Sequence, residues 1–164
     1  MSPLNEEEIQ NLADALHRAM VRLSIREYAA GEMGSYLRRK GFSKEIATAV
    51  VEDLVSRGEI SDQRYSKVIA RHHSMRDKGP MQILGKLRSK GVSLNLSEVR
   101  KIYGEVSDRN EVDQVRSILE RRYPRANEEP ALRQKAYQGL LRRGFSSDSI
   151  RKALDVPSAD GEDS

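Results

Sequence analysis

Three stretches of this chain repeat one pattern: Leu37-Arg38-Arg39-Lys40-Gly41-Phe42-Ser43, Leu87-Arg88-Ser89-Lys90-Gly91-Val92-Ser93 and Leu140-Leu141-Arg142-Arg143-Gly144-Phe145-Ser146. Each copy sets Leu four residues before Gly, basic residues between them, a hydrophobe after the Gly and then Ser. The period is about 50 residues, a spacing typical of small stacked repeats. A unit of that size cannot bury a sufficient core alone and leans on its neighbour. The Gly of each copy reads as a helix stop. Only a residue free of a Cβ takes the left-handed conformation there cheaply, so positive φ is expected at Gly41, Gly91 and Gly144.

The apolar periodicity between these stops is helical almost throughout. Ile9, Leu12, Ala13, Leu16, Met20 and Leu23 follow one face, and Asn5 with Glu8 forms a capping-box start. A short helix around Met33, Tyr36 and Leu37 runs to Gly41, although Met33-Gly34-Ser35 is a weak helix former. Ser43 caps a helix whose inner face is Ala47, Val50, Val51 and Leu54, ending at Gly58. Ser61 or Asp62 starts a helix with Tyr65, Val68, Ile69 and His72 inside. Gly79-Pro80 breaks the chain and places Pro at a first helical position, before Ile83, Leu84 and Leu87. Val99, Ile102 and Tyr103 mark a sixth helix. Asp108 and Glu111 offer a cap for a seventh, with Val112, Val115, Ile118 and Leu119 inside. After the Pro124–Pro130 loop, Leu132, Ala136, Tyr137, Leu140 and Leu141 define the eighth, and Ile150, Ala153 and Leu154 the ninth. The expected fold is all-α: three tandem three-helix repeats, residues 5–58, 59–106 and 107–156, forming an elongated, curved array, with an acidic, disordered tail over 157–164.

Composition narrows the chemistry. Cysteine is absent, which excludes disulfides and thiolate metal sites. No run approaches the roughly 20 apolar residues of a membrane span, and the N-terminus lacks a signal-peptide core. A cytoplasmic monomer with no membrane partner is expected. The net charge is +4 from 29 basic and 25 acidic residues; setting aside Asp160, Glu162 and Asp163 leaves 29 against 22, or +7. That balance favours an anionic partner, with nucleic acid first.

No phosphate-cradling glycine motif is present, and no catalytic grouping of Ser, His and Asp stands out. His72 and His73 are adjacent, so on a helix they diverge by about 100° and cannot share a metal; His72 reads as a packed core histidine. Glu52-Asp53 reads as a solvated helix face. No catalysis, cofactor or metal is expected. The basic clusters are more informative. Arg38, Arg39 and Lys40, then Lys86, Arg88 and Lys90, then Arg142 and Arg143 recur at the C-terminal end of each short middle helix, and Arg71, Arg76 and Lys78 extend them. The helix dipole accounts for one or two cations per helix end, not for two or three in every copy. These residues are the candidate surface for phosphates or acidic groups. No aromatic residue is expected to interleave with them, so base stacking is not anticipated. The helix-turn-helix reading of Leu37–Leu54 is poor, because its second helix opens Ser43-Lys44-Glu45 and carries Glu52-Asp53.

Arg26-Glu27-Tyr28, Leu37–Phe42, Gly58-Glu59-Ile60-Ser61-Asp62-Gln63-Arg64-Tyr65, Gly79-Pro80 with Ile83, Leu87, Lys90 and Gly91, and Arg142–Phe145 occur in order between about residues 12 and 155. In that order they resemble the RecX regulatory proteins. The resemblance departs locally: Ala47 replaces a larger aliphatic, and Gly91–Val99 carries about two extra residues, so the sixth helix is expected to start late or to be irregular. It implies a regulator of recombination and DNA repair in the SOS response. Such a protein binds the RecA recombinase, lies along the groove of its DNA filament, contacts DNA through it, and suppresses its ATPase, strand-exchange and coprotease activities. It implies no catalytic residue. The alternatives from the residues alone are a nonspecific basic DNA-binding protein and a helical adaptor without a recombinase partner.

Overall fold

The computed structural model describes residues 2–155, which form nine helices and no strand. They are α1 (Glu6–Leu23), α2 (Ala30–Arg39), α3 (Lys44–Ser56), α4 (Asp62–Ser74), α5 (Pro80–Ser89), α6 (Leu96–Ser107), α7 (Glu111–Arg122), α8 (Pro130–Arg142) and α9 (Ser147–Asp155). The tail read as disordered over 157–164 lies outside the described residues. The fold is an all-α repeat of three-helix sets. By packing, the described residues form two compact units, 2–68 with 87–93 and 69–86 with 94–155, so α4 and α5 each contribute to both. Among the described residues no helix is long and apolar enough to cross a membrane.

The repeated motif is a repeated helix ending. In each copy the N–H after the Gly bonds five residues back: Phe42 to Leu37 O (3.2 Å), Val92 to Leu87 O (3.0 Å) and Phe145 to Leu140 O (3.2 Å). The Gly N–H bonds three back, and φ is +97°, +79° and +94° at Gly41, Gly91 and Gly144. This double closure satisfies carbonyls that a helix end leaves orphaned. The Ser after each motif behaves as expected at the first and third copies. Ser43 Oγ accepts from Ile46 N–H and Ser146 Oγ from Ser149 N–H. In the second copy the extra residues shift the start of α6, and Asn95 with Glu98 forms the capping box instead of Ser93. Despite Gly34, α2 is a regular helix.

The first unit buries Ala15 and Ala19 of α1 with Tyr28, Met33, Leu37, Ala47, Val50, Leu54 and Ile60. The phase of α1 departs from the expected face. Ile9, Ala13 and Met20 are exposed, and the alanines lie deepest. Small side chains let the helix approach α3 closely, which turns the larger apolar residues to the flanks. Asn5 and Glu8 form the predicted capping box.

The second unit buries Ile83, Leu84, Val99, Tyr103, Val115, Ile118, Ala136, Leu140, Phe145 and Ile150. Four readings are corrected. In α4, Val68 and His72 are exposed, while Ala70, His73 and Ser74 turn inward by one position of phase. His73, not His72, is the half-buried histidine; its Nδ1 lies 3.1 Å from Ile69 O, and burial lowers its pKa. Asp108 ends α6 in the left-handed conformation, and Asn110 caps α7 by accepting from Asp113 N–H. Glu111 instead accepts from Ser146 N–H at 2.7 Å and pairs with Arg100. Leu141 lies at the surface, because Gly139 packs its backbone under the Tyr123 hydroxyl.

Asp77 closes α4 with the same ladder as the glycines, but it is not Gly: φ is +59°, and Lys78 N–H reaches His73 O at 3.0 Å. Its carboxylate is buried and accepts from Arg121 Nη2 (2.7 Å), Arg121 Nη1 (3.2 Å) and Arg122 Nε (2.9 Å). Hydrogen bonding from Arg121, opposed by burial and reinforced by Arg122, holds the carboxyl below its usual range. A depressed native pKa stabilises the fold above the unfolded pKa, and the gain is lost as pH falls through the native value. Asp77→Asn keeps a residue that tolerates left-handed φ and removes only the charge. It is expected to cost about 1–2 kcal/mol at neutral pH, because both guanidinium groups are half exposed. The difference from the unsubstituted chain should shrink in urea melts as pH falls below the carboxylate range.

Candidate nucleic-acid and acidic-partner interface

The basic runs do not form a single patch. Successive residues of a helix diverge by about 100°, and Arg38, Arg39 and Lys40 turn into three different clefts. Arg38 faces Lys44 and Glu52, and Lys40 lies beside Phe42 and Glu45. Arg39 joins Arg88 and Lys90 in a cleft of about 620 Å³ within the first unit. In the second unit, Arg71 and Arg76 are exposed near the end of α4 and Lys78 is half-buried beyond Asp77. There too Lys86 is exposed on α5, Arg142 is exposed at the end of α8, and Arg143 is half-buried.

The Arg39 cleft is the most strongly charged of these sites. Arg22 and Arg26, from the last turn of α1 and just beyond it, complete its lining, so five cations surround one carboxylate, Glu32. Sequence reading missed both arginines. The i, i+4, i+8 spacing of Arg18, Arg22 and Arg26 was the signal that could have found them. Glu32 is buried and organises the floor. Its oxygens accept from Arg26 Nη1 (2.9 Å) and Nη2 (3.0 Å), and Lys90 Nζ lies 3.1 Å away. Burial alone would raise the Glu32 pKa; the hydrogen bonds from Arg26 and Lys90 outweigh it and hold the group ionised. Lys90 and Arg26 are thereby fixed in place. Arg39 and Arg88 are exposed, and Arg22 is half-buried beside Tyr36.

Aromatic rings pack against the two cations of the cleft that lie outside the predicted clusters. The Arg26 guanidinium lies 3.7 Å from the centre of the Tyr28 ring, and Arg22 lies 4.9 Å from that of Tyr36. Tyr36 looked like a core residue beside Leu37, but it is only half-buried. Hydrogen bonding by Arg22, opposed by burial, lowers its phenol below the usual range. A guanidinium held over a ring has restricted rotamers, which reduces the entropy lost when it grips an oxyanion.

Two of the motifs, Arg26-Glu27-Tyr28 and Gly58–Tyr65, lie around this floor. Asp62 Oδ1 accepts from Ala30 N–H at 2.8 Å and caps α2, while Ser61 Oγ caps α4. Arg64 bonds Glu27 Oε1 (3.1 Å) and Gly58 O (2.8 Å). These residues hold the start of α2, and with it Glu32, in position. Among the described residues, no group of three His, Asp or Glu side chains could hold a metal ion.

Family models described as "RecX, first three-helix domain" and "RecX, third three-helix domain" match residues 15–54 and 110–154. The chain is 32% identical over 157 residues to regulatory protein RecX of Halorhodospira halophila, covering 92% of each. It is 31% identical over 151 residues to that of Trichlorobacter lovleyi, covering 87% of this chain and 95% of the other. The crystal structure of RecX from Lactobacillus salivarius superposes with a TM-score of 0.74 at 22% identity, over 89% of this chain and 96% of that one.

Proposed function

The chain belongs to the RecX family of regulatory proteins, and from that premise we propose that it binds a RecA-type recombinase filament on DNA and inhibits its ATPase, strand-exchange and coprotease activities. The observation that carries this reading is the Arg39 cleft. Arg39 and Arg88, both exposed, and half-buried Arg22 line a cleft whose floor Glu32 has already ordered. Such a surface takes phosphate oxygens or acidic side chains, and in a filament groove it meets both. The binding energy is mostly electrostatic and salt-dependent. Inhibition requires no chemistry of its own. A protein that binds one filament conformation more tightly shifts the population toward it.

The test is inhibition of recombinase ATPase on single-stranded DNA, with co-sedimentation on filaments and on bare DNA run beside it. Arg39→Glu with Arg88→Glu should abolish inhibition at concentrations where the unsubstituted chain inhibits fully, with helical circular dichroism unchanged. Full inhibition by that folded double variant would overturn the assignment of the cleft. Equal affinity of the unsubstituted chain for bare DNA and filament would instead favour a nonspecific DNA-binding protein.

A further inference from the structure

Two parallel rows of side chains mark the end of α1. Arg18 and Arg22 form one row and Val21 and Ile25 the other, each spaced by four residues, about one helical turn. Ile25 lies just past α1, where its N–H donates to Arg22 O at 3.0 Å and prolongs the turn. Val21 is 47% exposed and Ile25 70%. With half-buried Tyr36 and Phe42 they line a second cleft of the first unit, of about 550 Å³. A lone exposed aliphatic needs no explanation, but contiguous apolar surface of this kind marks an interaction site.

The lining favours protein over nucleic acid. Branched aliphatic side chains offer no flat face on which a base could stack. The Tyr36 ring could, but the Arg22 guanidinium lies 4.9 Å from its centre and Lys40 Nζ 5.9 Å from it. Val21, Ile25 and Phe42 offer instead an apolar contact for an aliphatic or aromatic side chain. Charge decides what stands beside that side chain. Asp14 is the carboxylate of the lining, and it accepts from Gln10 Nε2 at 2.9 Å. Arg18 and Arg22 both lie at the Tyr36 hydroxyl, an uncharged group, so the cleft keeps an excess of positive charge. A carboxylate answers that excess, because a guanidinium grips it through two parallel hydrogen bonds. Arg22 and Tyr36 also line the Arg39 cleft, so the two clefts share a wall and one partner can occupy both.

We infer that the α1 cleft recognises an acidic protein segment bearing an aliphatic or aromatic side chain, and that it meets the recombinase itself rather than DNA. The inference rests on the proposed function and divides its surface in two. The Arg39 cleft takes phosphates or acidic groups, and the α1 cleft takes recombinase protein. Affinity for the filament then has an apolar part that salt does not screen.

Val21→Ser with Ile25→Ser removes the aliphatic row and leaves every charge in place. Both side chains are exposed, so the fold loses little, which unchanged helical circular dichroism checks. Binding is measured over a range of salt to recombinase filaments on single-stranded DNA and to bare single-stranded DNA. The double variant should bind filaments at least about tenfold more weakly, the scale of one or two buried aliphatic side chains. Its salt slope on filaments should match that of the unsubstituted chain, and its affinity for bare DNA should not change. Val21→Ile with Ile25→Leu, which keeps the apolar surface, should retain filament binding. Arg18→Gln should weaken filament binding and make its salt dependence shallower. Filament binding unchanged by the double serine variant or by Arg18→Gln would overturn the inference. An equal loss on bare DNA would also overturn it and mark the cleft as a nucleic-acid site. Failure of the unsubstituted chain to bind filaments at all is a separate result, which would overturn the proposed function and the inference with it.

Discussion

Alanine at Gly144 should destabilise the second unit by about 2–4 kcal/mol, whereas alanine at Gly41 should cost the first unit only about 1 kcal/mol. The two glycines have the same sequence context and nearly the same φ, +94° and +97°, so the strain of a left-handed alanine is shared. The neighbours differ. A Cβ at Gly144 would lie 2.7 Å from Gln82 N and 2.8 Å from its Cγ, whereas nothing lies within 4 Å at Gly41. Backbone on one side and a helix start on the other leave the methyl no room to relax, which adds an overpacking cost of about 1–3 kcal/mol. Gly91, with Gly31 Cα at 3.5 Å, should fall between them. Urea melts of the three variants test the order. Equal losses at all three would mean that the helix ends are not docking points and that only the turn conformation matters.

The second large effect concerns binding. Replacing Arg38, Arg39, Lys86, Arg88, Arg142 and Arg143 by Glu changes six charges by two each and takes the net charge from +4 to −8. Through the helix dipole an exposed cation at a helix end contributes at most about 0.3–1 kcal/mol, so the helices should persist. Filament binding should fall by several orders of magnitude, since attraction to phosphates or carboxylates becomes repulsion. For the unsubstituted chain, log affinity should decline linearly with log salt, and removing one cation that meets a phosphate should make the slope shallower by about one. The variant must keep its helical circular dichroism and a cooperative melt. Wild-type inhibition by a folded reversed variant would remove the basic clusters from the binding surface. A shallow salt slope for the unsubstituted chain would point to an apolar protein contact.

The helices and their ends could be read from residue order because the forces that set them act within one or two turns. The Leu-to-hydrophobe closure around Gly41, Gly91 and Gly144 spans six residues, and the caps at Asn5, Ser43 and Ser146 span four. Local order also revealed the late start of α6, since two extra residues after Gly91 must go somewhere. The family resemblance was legible for the same reason: its motifs are these stops and caps.

Other features depend on partners far along the chain. Which flank of α1 faces inward follows from how closely Ala15 and Ala19 let α3 approach, so Ile9 and Met20 stayed outside despite their apolar character. Asp77 looks like an ordinary loop residue until Arg121, 44 residues on, meets it, and Asp62 caps a helix that starts 32 residues earlier. The cleft is the same kind of product. Arg22 and Arg26 belong to one helix end, Arg39 to a second and Arg88 to a third, and packing around buried Glu32 makes them neighbours. A basic run shows that charge is present; its direction is set by the helix phase, which tertiary contacts alone establish.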